Sequence, residues 1–151
     1  MIRLAHPIAL ICAFTWVGFV CAISFMEAWL KFKAYGVTLP IGLEIGRLVF
    51  QALNKVEWVL AIAILVDVLW HRRVTRHVLM IALPVLLLAL QTFWLLPVLD
   101  ERALLAIHGQ GVGPSHAHIT YVIMEVAKVI ALVLFGTGLF NTRTTLARVT
   151  T

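Results

Sequence analysis

The chain has 151 residues, of which 62% are hydrophobic and only 13% charged, and its mean hydropathy is +1.02. A soluble domain carries about 25% charged residues. The composition therefore excludes a disordered chain, a disulfide scaffold and an ordinary soluble globule, and it points to a single integral membrane domain over 1–151. The net charge of +5 reads as basic loops facing a cytoplasmic leaflet. No basic stripe interleaved with exposed aromatics suggests nucleic acid as a partner.

A bilayer core of about 30 Å needs about 20 apolar residues of helix. The first such run covers 7–26 and is closed by Glu27. Val20-Cys21-Ala22 loosely resembles a signal cleavage site, but the length of the run and its bulky Trp16, Phe19 and Phe25 favour a retained helix. Cys12 and Cys21, nine residues apart, lie on opposite sides of that helix and cannot pair. Lys33, Gly36 and Pro40 mark a loop.

The segment 41–54 carries Glu44, Arg47 and Gln51, followed by Lys55, at spacings of three and four. This is one polar stripe on an apolar helix. It either lies in the interface plane or forms the first turns of the next span. Gly42 and Gly46 make a small-x-x-x-small face that permits close helix approach. Span two runs over about 56–70. Span three, 78–99, has no charged residue, with Pro84 a possible kink and Pro97 near its end. Span four covers about 118–140, and a polar tail follows.

The predicted fold is all-α: a four-helix transmembrane bundle with an amphipathic segment before span two. Arg3, Arg72, Arg73, Arg76, Arg143 and Arg148 fall on one side with no acid among them, whereas acids and bases balance on the other. Both termini are therefore expected in the cytoplasm. A bacterial-type inner membrane is the simplest location. Trp29, Trp58, Trp70 and Trp94 fall near span ends and read as an aromatic belt, with Trp16 in mid-span.

This arrangement gathers polar groups on the non-cytoplasmic half. Glu27 closes span one and Glu57 opens span two. Asp100 and Glu101 follow span three, and His108, His116 and His118 precede or open span four. On span four, His118, Tyr121, Glu125 and Lys128 form one polar ridge. Ionisable groups within a span are costly and face the bundle interior or a wet cavity. One reading is an ion or ligand path through Glu57, His118, Tyr121, Glu125 and Lys128, with Tyr121 orienting Glu125. The other is a structural pair between Glu125 and Lys128, joined by Glu57.

Glu27, Glu57, His116, His118 and Glu125 could together ligate a divalent metal, or the histidines a haem, since bundle-core sites use these ligand types. The di-iron pattern is incomplete and no H-E-x-x-H occurs. Glu27 and Lys31 stand i, i+4 as an interfacial salt bridge. On the cytoplasmic side, Asp67 and His71 form a second polar set, as a hydrogen-bonded helix-end pair or as a proton relay.

The order of features resembles the transmembrane protein 205-like family of small four-span membrane proteins. The resemblance rests on Trp16 and Gly18 in span one and on Gly42, Gly46 and Phe50 before span two. It rests also on Trp94-Leu95-Leu96-Pro97 with the following Asp100-Glu101-Arg102, and on a histidine before span four. It implies the four-span layout and little of mechanism.

Three functional readings follow. The first is ion or small-solute handling at the polar half, which in so small a bundle needs a homo-oligomer or a partner membrane subunit. The second is an accessory subunit of a larger complex. The third is a membrane enzyme using a carboxylate–histidine metal or haem site.

Overall fold

The computed structural model describes residues 6–70, 75–111 and 113–140. The side chains of Arg3, His71, Arg72, Arg73, Arg76, Arg143 and Arg148 lie outside the described residues, and so do the orientation argument and the Asp67–His71 pairing built on them. Four long helices make up the described chain. The first, α1, starts at Pro7–Val20, passes a π-helical turn at Cys21–Glu27 and ends in short turns to Lys33. The second, α2, is continuous over Leu39–Trp70. The third, α3, runs from Thr75–Leu90 through a π-helical turn at Gln91–Leu95 into Leu96–Ile107. The fourth, α4, is Ala117–Phe140.

Several boundaries differ from the sequence reading. Pro40 is not in a loop: it is the second residue of α2, where its missing N–H has no helical partner to lose and its fixed φ suits the first turn. Segment 41–54 and span two are one rod, because nothing between Leu39 and Trp70 breaks the backbone ladder. Asp100, Glu101 and Arg102 do not leave the helix but continue α3 to Ile107. Pro84 is accommodated inside α3.

Each helix packs against two others, α1 on α2 and α4, and α3 on α2 and α4. Neighbours run antiparallel. Lys31 near the end of α1 meets Gly46 near the start of α2, and Asp67 near the end of α2 reaches Ala9 at the start of α1. Likewise Asn54 meets Thr92, and Gln91 meets Glu125.

The buried stripes have helical spacing: Ala9, Ala13, Trp16 and Val20 on α1, and Leu53, Glu57, Ala61, Ile64 and Val68 on α2. Ile81, Leu88, Gln91 and Leu95 come from α3. Tyr121, Glu125, Lys128, Leu132 and Phe135 come from α4. The outer surface is apolar, with Ile11, Val59, Leu79, Phe93, Ile123 and Leu134 all exposed. Charges inside and leucines outside invert a soluble bundle and match a helix set solvated by lipid.

Three stretches are long and apolar enough to cross a membrane: Pro7–Lys33, His77–Ile107 and Ala117–Phe140. The fourth helix, α2, is not among them; its C-terminal half carries Lys55, Glu57 and Asp67. Glu57 and Asp67 are both buried, on the stripe that faces the other helices.

Gly42 and Gly46 do not bring two helix backbones together. A Cβ on Gly42 would run into the Phe32 ring, and one on Gly46 would stand 2.7 Å from Lys31 Nζ. The two glycines make room for the side chains that close α1.

Candidate functional site

Every helix sends at least one polar side chain to a shared point in the core. On α4, Glu125 and Lys128 are three residues apart and so share a face. Lys128 Nζ donates to Glu57 Oε1 on α2 at 2.5 Å and to Glu125 Oε1 at 3.0 Å. Trp16 Nε1 on α1 donates to the same Glu57 oxygen at 2.7 Å. Gln91 Nε2 on α3 donates to Glu125 Oε1 at 2.8 Å. Relative exposures are 0% for Lys128 and Glu125 and 1% for Glu57 and Gln91, so water does not screen the group. Glu125 Oε2 and Gln91 Oε1 are buried without a hydrogen-bond partner.

Two carboxylates thus share one ammonium. With all three ionised, the cluster carries one excess negative charge in a low-dielectric setting, where an uncompensated charge is costly. Tyr121, 3% exposed, lies beside Glu125, Glu57 and Ser24 on the side toward the loop ends of α1 and α2. Its ring meets Phe50 edge to face, with centroids 5.3 Å apart. Beyond Phe50 opens a cleft that His118 also lines. The Ser24 and Gln91 positions both fall in π-helical turns, which rotate the following residues relative to an α-helix.

Of the sequence candidates, Glu57, Tyr121, Glu125 and Lys128 come together. His118 does not join them: it is exposed in the first turn of α4, about 10 Å from Glu125 at 1.5 Å per residue. His116 is exposed just before that helix, where Ser115 Oγ accepts the Ala117 N–H at 3.1 Å. Glu27 is held by Lys31 at 3.3 Å, as its spacing predicts.

The expected metal set of Glu27, Glu57, His116, His118 and Glu125 is therefore dispersed. Among the described residues, no group of three or more His, Cys, Asp or Glu could hold a metal ion. The physical reason is that Lys128 occupies the position between Glu57 and Glu125 where a cation would sit. Both cysteines are free thiols.

Asp67 is buried near the other end of the bundle. Its Oδ2 accepts the Ala9 N–H at 3.0 Å, in the first turn of α1, and stands 3.7 Å from His6 Nδ1. A carboxylate there satisfies a backbone donor that the helix itself cannot. The His6 ring meets His77 edge to face at 5.4 Å.

Sequence reasoning missed Trp16, Gln91, His6 and His77. Gln91 had a readable signal, as a lone amide within an uncharged apolar run. Trp16 also had one, as the indole furthest from any span end. Trp58, read as a belt residue, donates to Thr92 Oγ1 at 3.0 Å beside Asn54.

No family model matches the chain, and no curated protein or solved structure is found to be similar to it.

Proposed function

We propose that this small polytopic membrane protein handles an ion at the Glu57–Lys128–Glu125 cluster, taking up and releasing one proton. The observation that carries the reading is the charge count: two fully buried carboxylates face a single ammonium, and one carboxylate oxygen is left without a partner. One further positive charge neutralises the group. Exchange of that charge is the chemistry such a site offers within a bilayer. Tyr121 and the cleft beyond Phe50 lie on the side from which the ion arrives. His118, at the mouth of span four, stands on that route rather than in the cluster.

In this reading α2 joins the three apolar helices as a fourth span. The arginine distribution supports cytoplasmic termini, and a bacterial-type inner membrane is the simplest location. The resemblance to the transmembrane protein 205-like family supports the same four-span layout. Four helices leave little room for a pore, so conduction requires a second copy or a partner subunit.

The test is flux in sealed liposomes containing the purified protein and an internal pH-sensitive dye. An imposed potential is expected to drive proton movement in the wild type. Glu125→Gln is expected to abolish it while the protein still elutes as a folded species. Equal flux in wild type and Glu125→Gln would refute the proposal.

A further inference from the structure

The two carboxylates of the buried cluster have unequal surroundings. Glu57 Oε1 receives two donors, the Lys128 ammonium at 2.5 Å and the Trp16 indole N–H at 2.7 Å. Short charge-assisted contacts of this kind favour the ionised form of a carboxyl. Glu125 Oε1 receives the same ammonium at the longer distance of 3.0 Å, together with the neutral Gln91 amide at 2.8 Å. Its other oxygen, Oε2, is buried with no hydrogen-bond partner. Of the two carboxyls, Glu125 is therefore the one whose ionised form is held less firmly.

Gln91 adds a second, independent sign. Its Nε2 donates to Glu125 Oε1, while its own Oε1 is also buried without a partner. One hydrogen bond thus already joins a carboxyl to a primary amide, and each group has one oxygen left over. While Glu125 is ionised, both leftover oxygens are acceptors and neither can satisfy the other. A proton on Glu125 Oε2 supplies the missing donor. Its O–H can then bond to Gln91 Oε1, closing the doubly hydrogen-bonded ring that a carboxylic acid and an amide form. The last torsion of each side chain is soft, so the two planes can turn into register while the first bond is kept.

The charged and titratable groups set around Glu125 are Glu57 from α2 and Lys128 and Tyr121 from α4. The first helix brings the Trp16 indole and Ser24 to the cluster, and α3 brings Gln91; none of these three changes charge.

Resting on proton uptake at the cluster, we infer that the proton is held on Glu125 Oε2 and donated to Gln91 Oε1, which makes Gln91 the positioning residue of the loaded state. Loading forms one O–H bond at Oε2 with a proton drawn from water, and the excess negative charge of the cluster disappears. Unloading breaks that bond and returns the proton to water.

The test is infrared difference spectroscopy of the purified full-length protein in detergent, between alkaline and acid pH. Surface carboxyls also titrate, so the cluster's carbonyl band is taken as the one present in wild type and missing from Glu125→Gln. Two contact variants then assign it, since each removes a partner of one carboxyl. Gln91→Met is expected to move the band to higher frequency, as an acid that has lost its hydrogen-bond acceptor. Trp16→Phe is expected to leave the band in place. In wild-type protein carrying isotope-labelled glutamine, one side-chain amide band is expected to shift in step with the carboxyl band, a readout that needs no substitution.

A band moved by Trp16→Phe and not by Gln91→Met would put the proton on Glu57, overturning the inference while leaving proton uptake intact. Glutamine amide bands that stay still while the carboxyl band appears would overturn it as well. Identical spectra of wild type and Glu125→Gln at every pH would refute proton uptake at the cluster, and the inference with it.

Discussion

Two buried carboxylates on α2, ten residues apart, meet different fates. Asp67 lies near a helix end and accepts a backbone N–H from the first turn of α1, beside His6. Glu57, about 15 Å away along the same helix, accepts an indole N–H from α1 and an ammonium from α4. Apolar side chains, among them Ala61, Ile64, Leu132 and Phe135, fill the bundle between these levels. The first arrangement satisfies a helix terminus, a need that every helix has. The second has no backbone donor to satisfy. It places three charges where an apolar core would serve stability as well or better. That difference is the argument for function at Glu57 and for structure at Asp67.

The comparison can be broken most severely at Lys128. Lys128→Met leaves Glu57 and Glu125 facing each other without their shared cation. The loss of stability is expected to be about 3–5 kcal/mol, read as a lowered unfolding midpoint in detergent. Adding Glu57→Gln and Glu125→Gln to the same chain should recover most of it. A single variant as stable as the wild type would show that the charges are not coupled.

A smaller effect is expected where the cleft meets α1. Gly42→Ala drives a methyl into the Phe32 ring and is expected to cost about 1–3 kcal/mol. Gly18→Ala has open space around it inside a helix and is expected to stabilise by about 0.5–1 kcal/mol. Thermal melts of the two variants should therefore move in opposite directions. Melts that move together would mean that the cleft wall is soft.

The smallest effect concerns Glu44, on the outer part of α2 before span two. Its hydrogen bonds from Arg47 hold its carboxyl below the ordinary glutamate value. A depressed folded value means that the pair's contribution is present at neutral pH and is lost as pH falls through that value. Carboxyl chemical shifts followed through an acid titration should show Glu44 titrating low, and Arg47→Gln should return it to the ordinary range.

Much of this was legible in the residues. The composition announces a membrane domain. The spacing of Tyr121, Glu125 and Lys128 announces one ridge, and Glu57 is named as its partner because both fall in the same half of the expected bundle. The contributions of Trp16 and Gln91 were not legible as contacts. A donor's target across a bundle depends on the rotation of each helix about its own axis, which a one-dimensional pattern does not set. The two π-helical turns alter that rotation further.

The histidines misled for a related reason. His116 and His118 are close in sequence to the ridge, yet a helix start that faces outward keeps both exposed. His77, by contrast, is buried against His6 from the far end of the chain order. Gly42 and Gly46 carried a true signal of close approach, but the approaching groups are side chains rather than a backbone.

The most direct test of the central claim sets the two carboxylate levels side by side in one experiment. Glu125→Gln and Asp67→Asn each remove one buried carboxylate, and both proteins are placed in the same liposome flux assay with the wild type. The account predicts that Glu125→Gln abolishes ion movement, while Asp67→Asn lowers the melting temperature and retains the flux. Loss of flux in Asp67→Asn alone, with Glu125→Gln fully active, would contradict it.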